Sequence, residues 1–168
     1  MHDLRIAVVG DIGEQKGESI ILDLLSLPKK ERPKIVLFGK GSEVLTSAVD
    51  EYWGMYTPTQ LLQDLVNAEI DAFWFPFKSR ETFSYVLGET MCTNLPIFAT
   101  NLGAIPERLA QYPFGYLLEH DSSPSKTIEK IEKVLLTDKN LPKPKSVKFS
   151  DLDYSHSWYL NKYVELIT

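Results

Sequence analysis

The stretch "RIAVVGDIGEQKGESIILDLLSL", residues 5–27, decides the fold. Its apolar run, Arg5 to Val9, lacks the alternation of a strand with one wet face, and strands buried on both faces read this way. Gly10, Gly13 and Gly17 then break the chain around Lys16, and a helical pattern follows Gly17. The same order recurs downstream. Apolar runs "KIVLF" at 34–38, "AFWF" at 72–75 and "IFA" at 97–99 are separated or followed by helical patterns at 58–68, 82–92 and 123–138. Leu61, Leu62, Leu65, Val66 and Ile70 keep helical spacing, as do Ile128, Ile131, Val134 and Leu135.

The punctuation agrees. Thr57 before Pro58 and Ser123 before Pro124 mark helix starts, because proline lacks an amide that a first turn leaves unpaired anyway. Asn94 is expected in the left-handed cap after the 82–92 helix, and Pro96 forbids continuation. Alternation with short connections predicts a single α/β domain, a Rossmann-like, three-layer, doubly wound parallel sheet whose ligands sit beyond the carboxyl ends of the strands. The expected bounds are residues 1–137 for this unit, 138–150 for a Lys/Pro-rich extended crossover and 151–168 for a C-terminal aromatic helix with Trp158, Tyr159 and Tyr163.

Composition narrows the function. With 168 residues, one core is expected, burying roughly 70% of the unfolded chain's surface. A net charge of -5 argues against a nucleic-acid partner held by phosphate neutralisation. The lysines from 126 to 148 are a local exception and read as a solvated helix face running into a linker. No transmembrane segment is expected, and "MHDLRIAVVG" carries an acid where a signal peptide needs a basic region, which suggests a cytoplasmic location. The lone Cys92 cannot form an internal disulfide and suits helix packing, while His2, His120 and His156 are too scattered to suggest a metal site or a general base.

Two loops are candidates for chemistry. "GDIGEQKG" offers glycines for close backbone approach, a following helix start and the mobile cation Lys16, so Gly13, Lys16 and Gly17 are candidate anion contacts. It lacks the phosphate-loop and G-x-G-x-x-G spacings, so a structural strand-to-helix turn is equally open. "KSRETFSYVLGE", residues 78–89, follows the 72–75 strand into a helix expected to begin at Thr82. If helical throughout, Glu81 and Glu89 stand about 12 Å and 80° apart, able to meet the groups on either side of a bound diphosphate. Compensation of the helix dipole plus a surface acid is the plainer alternative.

The order "GDIGEQKG", "KIVLFGKG", "FPFKSRETFSYVLGETMCTNLPIFATNLGAIPERL" resembles the donor-binding C-terminal half of a retaining glycosyltransferase of family 4, the group 1 family with the GT-B fold. The resemblance runs from about residue 5 to 137 and is most specific from Glu81 to Glu107. It implies a nucleotide-diphospho-sugar donor. It also implies that Lys16 and the amides of Phe83, Ser84 and Tyr85 bind the diphosphate, that Glu81 contacts the donor sugar as the catalytic acidic residue, and that Glu89 holds the ribose. Residues 101–106 would line the glycosidic end, with Gly103 either there or simply a turn glycine. No metal and no other cofactor is implied.

Three departures stand out. Asp11 occupies the position where the family commonly has arginine, and Arg80 is a candidate replacement cation. Thr82 and Ser84 flank Phe83 where small glycines are common. There is room for one Rossmann-like domain, so an N-terminal acceptor-binding domain in the same or another chain is the expected partner. Two alternatives remain: a degenerate, non-catalytic assembly module with Asp11 obstructing the diphosphate, and a flavodoxin-like or nicotinamide-binding domain, which lacks its dinucleotide glycine pattern here.

Overall fold

The computed structural model describes residues 4–142, apart from the side chains of residues 58, 59 and 62. The expected terminal helix and most of the crossover lie outside the described residues. Six strands form one parallel sheet: β1 (Arg5–Asp11), β2 (Lys34–Lys40), β3 (Glu51–Gly54), β4 (Ala72–Phe75), β5 (Ile97–Thr100) and β6 (Gly115–Leu118), in the order β3-β2-β1-β4-β5-β6. Between them run α1 (Glu18–Leu25), α2 (Glu43–Ala48), α3 (Pro58–Asn67), α4 (Tyr85–Met91) and α5 (Ile105–Leu109), and α6 (Pro124–Thr137) follows β6. This is the doubly wound Rossmann-like fold. The strand order reverses between β1 and β4, which opens the crevice where such sheets bind ligands.

Successive side chains of a strand face opposite ways, so each central strand feeds two cores. Ile6, Val8, Ile35, Leu37, Trp74 and Phe98 pack with Ile21, Leu24, Leu45, Ile128 and Ile131 of α1, α2 and α6. Ala7, Val9, Val36, Phe38, Phe73 and Phe75 pack with Leu61, Leu65, Leu87, Met91 and Ile105 of α3, α4 and α5. Two faces covered by helices explain why these strands read as continuous apolar runs.

The expected caps form. Thr57 accepts from the Gln60 amide at 3.3 Å and Ser123 from the Lys126 amide at 3.4 Å. Asn94 takes φ 59°. Two short strands and two short helices, β3, β6, α2 and α5, were not expected. β3 is an edge strand with no buried residue, so it never shows an apolar run. Beyond α6, Leu141 is buried.

At the amino ends of the strands, Asp50 precedes β3 and accepts from Arg32 Nη1 at 2.6 Å and from the Ile35 amide at 2.9 Å. Burial alone would raise its pKa, but these hydrogen bonds outweigh burial and hold it below the ordinary carboxylate range. An acid depressed in the folded state stabilises the fold above its unfolded pKa and loses that stabilisation as pH falls through the folded one. Asp50→Asn should therefore cost about 3 kcal/mol near pH 7, since the Arg32 side chain is only 3% exposed. The difference from the parent should shrink as urea titrations move to acid pH.

Candidate functional site

A cavity of about 370 Å³ lies beyond the carboxyl ends of β1 and β2, lined by Gly10, Asp11, Lys16, Gly39, Lys40, Met55, Tyr56, Val86 and Glu89. Its floor comes from paired glycines. Gly10 and Gly39 are register partners on β1 and β2, and a Cβ on Gly39 would sit 2.1 Å from the Gly10 carbonyl oxygen. Both have strongly positive φ, which a larger residue rarely adopts, and the close approach leaves no room for a side chain on Gly39. The next register pair, Asp11 and Lys40, stands at the cavity wall, and Lys16 enters from the turn before α1. Among the described residues, the side chains of Asp11, Lys16 and Lys40 form no hydrogen bond or ion pair.

Glu89, half-buried on α4, faces this cavity, and burial pushes its carboxyl up from the usual value. Tyr56 lies close enough to feel it: burial, assisted by the Glu89 charge, pushes the Tyr56 hydroxyl up to about 12. Lys16 and Glu89 therefore share one cleft. Glu81 does not line it.

The helix carrying Glu89 starts three residues later than expected. Ser84, at φ 60°, is the cap, its hydroxyl accepting from the Leu87 amide at 3.4 Å, and α4 begins at Tyr85. Thr82 and Phe83 therefore belong to the preceding loop, and helix geometry does not relate Glu81 to Glu89. Glu81 is instead set by the turn after β5: its carbonyl accepts from the Ala104 amide at 2.9 Å, and Gly103 packs against its backbone. A Cβ on Gly103 would lie 2.6 Å from the Glu81 oxygen, at φ 63°. Gly103→Ala should displace Glu81 and cost about 2 kcal/mol, measured by thermal unfolding.

The two candidate loops are stitched together. The Gln15 carbonyl accepts from the Lys78 and Ser79 amides at 3.0 and 3.2 Å, and Lys78 pairs with Glu14, whose carboxyl is held below its usual value by that bond. Gly17 packs directly on Pro76, while Gly13 stands in open space. Arg80 is exposed and outside the cavity lining. Sequence reasoning missed Lys40, Tyr56 and Arg108, the last buried behind Phe83 and Ser84. The signal for Lys40 was present: "FGK" at 38–40 repeats the strand-end pattern "VGD" at 9–11.

A second cavity, about 430 Å³, lies at the opposite pole near Leu4, Arg32, Asp50 and Glu51. Its charges are already engaged, Asp50 with Arg32 and Lys29, and Glu51 with Arg5. Among the described residues no cluster of three or more His, Cys, Asp or Glu side chains could hold a metal ion, and no helix is long and apolar enough to cross a membrane.

A Rossmann-like parallel sheet with an open cleft, flanked by Lys16 and Lys40, beyond the carboxyl ends of β1 and β2 is the arrangement of a doubly wound α/β domain with a candidate ligand site at its carboxyl edge. The chain belongs to the glycosyl transferases group 1 family, whose model matches residues 3–137. A sequence search of curated proteins found no match. Among solved structures, the chain is similar to Anabaena Alr3699/HepE in complex with UDP-glucose, with a TM-score of 0.69 and 14% identity over 99% of this chain and 49% of that one. A glycosyltransferase from Rickettsia africae gives 0.70 and 15% over 99% and 47%. Sucrose-phosphate synthase from Thermosynechococcus elongatus gives 0.64 and 14% over 99% and 47%. The chain spans about half the length of these proteins.

Proposed function

We propose that this chain is the donor-binding domain of a retaining glycosyltransferase that takes a sugar from a nucleotide-diphospho-sugar. The observation that carries this reading is that Lys16, Lys40 and Glu89 line one cleft beyond the carboxyl ends of β1 and β2. A half-buried carboxylate suits the two hydroxyls of a ribose, and the lysines suit a diphosphate. Glu81, placed by the β5 turn beside the α4 start, contacts the donor sugar. Gly13 lets the diphosphate approach the backbone, and the amides of Ser84 and Tyr85 at the α4 start complete its cradle.

Transfer develops negative charge on the leaving phosphate oxygen. Each well-placed donor there contributes about 3 to 4 kcal/mol to the barrier reduction. Lys16 and these amides supply that stabilisation without a metal. Asp11 would oppose it, and Lys40, its register partner, supplies the compensating cation from within the cleft, which the exposed Arg80 does not line. UDP-glucose bound in the similar Anabaena protein supports a donor of this class. The acceptor domain belongs to the same or another polypeptide, so these 168 residues alone should transfer little or no sugar.

Titration calorimetry with UDP, GDP and ADP tests the reading. Millimolar or tighter binding of one, lost in Glu89→Ala, is expected. Silence toward all three would leave the non-catalytic assembly module, the reading that Asp11 at the cleft wall favours.

A further inference from the structure

Ser84 is one of three non-glycine residues with positive φ among the described residues, and it stands where the loop after β4 turns into α4. Such a conformation is strained for any side chain and persists only where its surroundings over-determine it. The surroundings here come mainly from α5. Arg108 Nη1 donates to the Phe83 carbonyl at 2.6 Å and to the Ser84 carbonyl at 3.1 Å, and its guanidinium lies 4.0 Å over the Phe83 ring. Arg108 is 8% exposed, a costly place for a charge that does nothing but pack.

The peptide bond converts this clamp into an orientation. In a trans peptide the carbonyl and the following amide point in opposite directions. Fixing the Phe83 and Ser84 carbonyls on Arg108 therefore aims the Ser84 and Tyr85 amides away from α5. Val86 and Glu89 of the same helix line the cleft.

We propose that Arg108 is a positioning residue for nucleoside-diphosphate recognition, locking the strained Ser84 turn so that the Ser84 and Tyr85 amides face the diphosphate without Arg108 touching the ligand. This rests on the donor-binding reading above. Glycine at this position would adopt the turn with less strain, so the dependence on Arg108 belongs to a chain that carries serine there.

The test combines Arg108→Ala, Arg108→Lys, Ser84→Gly and the double variant Ser84→Gly/Arg108→Ala, with UDP followed by calorimetry, uridine by NMR titration, and thermal unfolding. Arg108→Ala is expected to weaken UDP about tenfold and to leave uridine unchanged, because only the phosphate contacts depend on the turn. Arg108→Lys should be nearly as weak, since one ammonium does not reproduce a planar grip on two carbonyls over a ring. In the Ser84→Gly background the same alanine substitution should cost less. Unchanged UDP binding, an equal loss of UDP and uridine, or full rescue by lysine would overturn the proposal. Should Arg108→Ala fail to fold, Arg108→Lys carries the comparison. Should the parent bind GDP or ADP instead of UDP, that nucleotide and its nucleoside replace UDP and uridine in the test. Should it bind none of UDP, GDP and ADP, the donor reading fails. The clamp is then decided by unfolding midpoints: a smaller alanine penalty in the Ser84→Gly background supports it, and an equal penalty refutes it.

Discussion

Gly17→Ala is expected to cost about 4 kcal/mol, a large share of the roughly 5–15 kcal/mol that holds a typical domain together. A Cβ there would lie 1.9 Å from the Pro76 carbonyl oxygen and 2.8 Å from its carbon, at φ 90°. Neither partner can withdraw cheaply. Gln15 is bonded to the Lys78 and Ser79 amides on one side of the contact, and Glu14 pairs with Lys78 on the same seam. Separating the loops would break this seam and swing Lys16 out of the cleft, so UDP affinity should fall with stability. Gly13→Ala is the internal control. With nothing within 4 Å and φ -124°, it should stay within about 0.5 kcal/mol of the parent in urea denaturation. Equal stability of the two variants would show that the loops do not pack as described.

The second large effect is opposite in sign for stability and for binding. Glu89→Gln should weaken UDP about 100-fold, because two hydroxyl bonds to a charged acceptor become weaker neutral ones. The same substitution should stabilise the free protein at neutral pH. Burial raises the Glu89 pKa above its unfolded value, so the ionised carboxylate destabilises the fold at every pH above the folded pKa. That penalty disappears below the unfolded carboxylate's pKa of about 4.3, so the advantage of glutamine should vanish in acid. Urea denaturation at neutral and acid pH reads it. A glutamine variant that is less stable at neutral pH would mean that Glu89 serves the fold.

Much of the fold was legible because the two-sided burial of β1, β2, β4 and β5 writes itself as unbroken apolar runs, and because Thr57, Ser123 and Asn94 are capping residues by chemistry. β3 escaped since an edge strand with exposed faces leaves no such run, whereas β6 does carry one, Tyr116 to Leu118, that sequence reasoning missed. Of the candidate site, Lys16 and Glu89 line one cleft and Glu81 does not. The α4 start was misjudged at Thr82 because a positive φ at Ser84 follows from Arg108 and the β5 turn, contacts 20 or more residues away in sequence. Lys40 was readable from the repeated strand-end pattern, whereas Tyr56 depends on an edge strand that the sequence hardly marks. Arg108 does carry a trace: a charged residue between Ile105 and Leu109, both buried, sits on a helix face that should be apolar.

The most direct test of the central claim is a crystal structure of this chain with whichever of UDP, GDP and ADP it binds. The diphosphate should lie between Lys16 and the α4 start, with the ribose hydroxyls on Glu89. The nucleotide ordered at any other site, or a cleft left empty by all three at millimolar concentration, would contradict it.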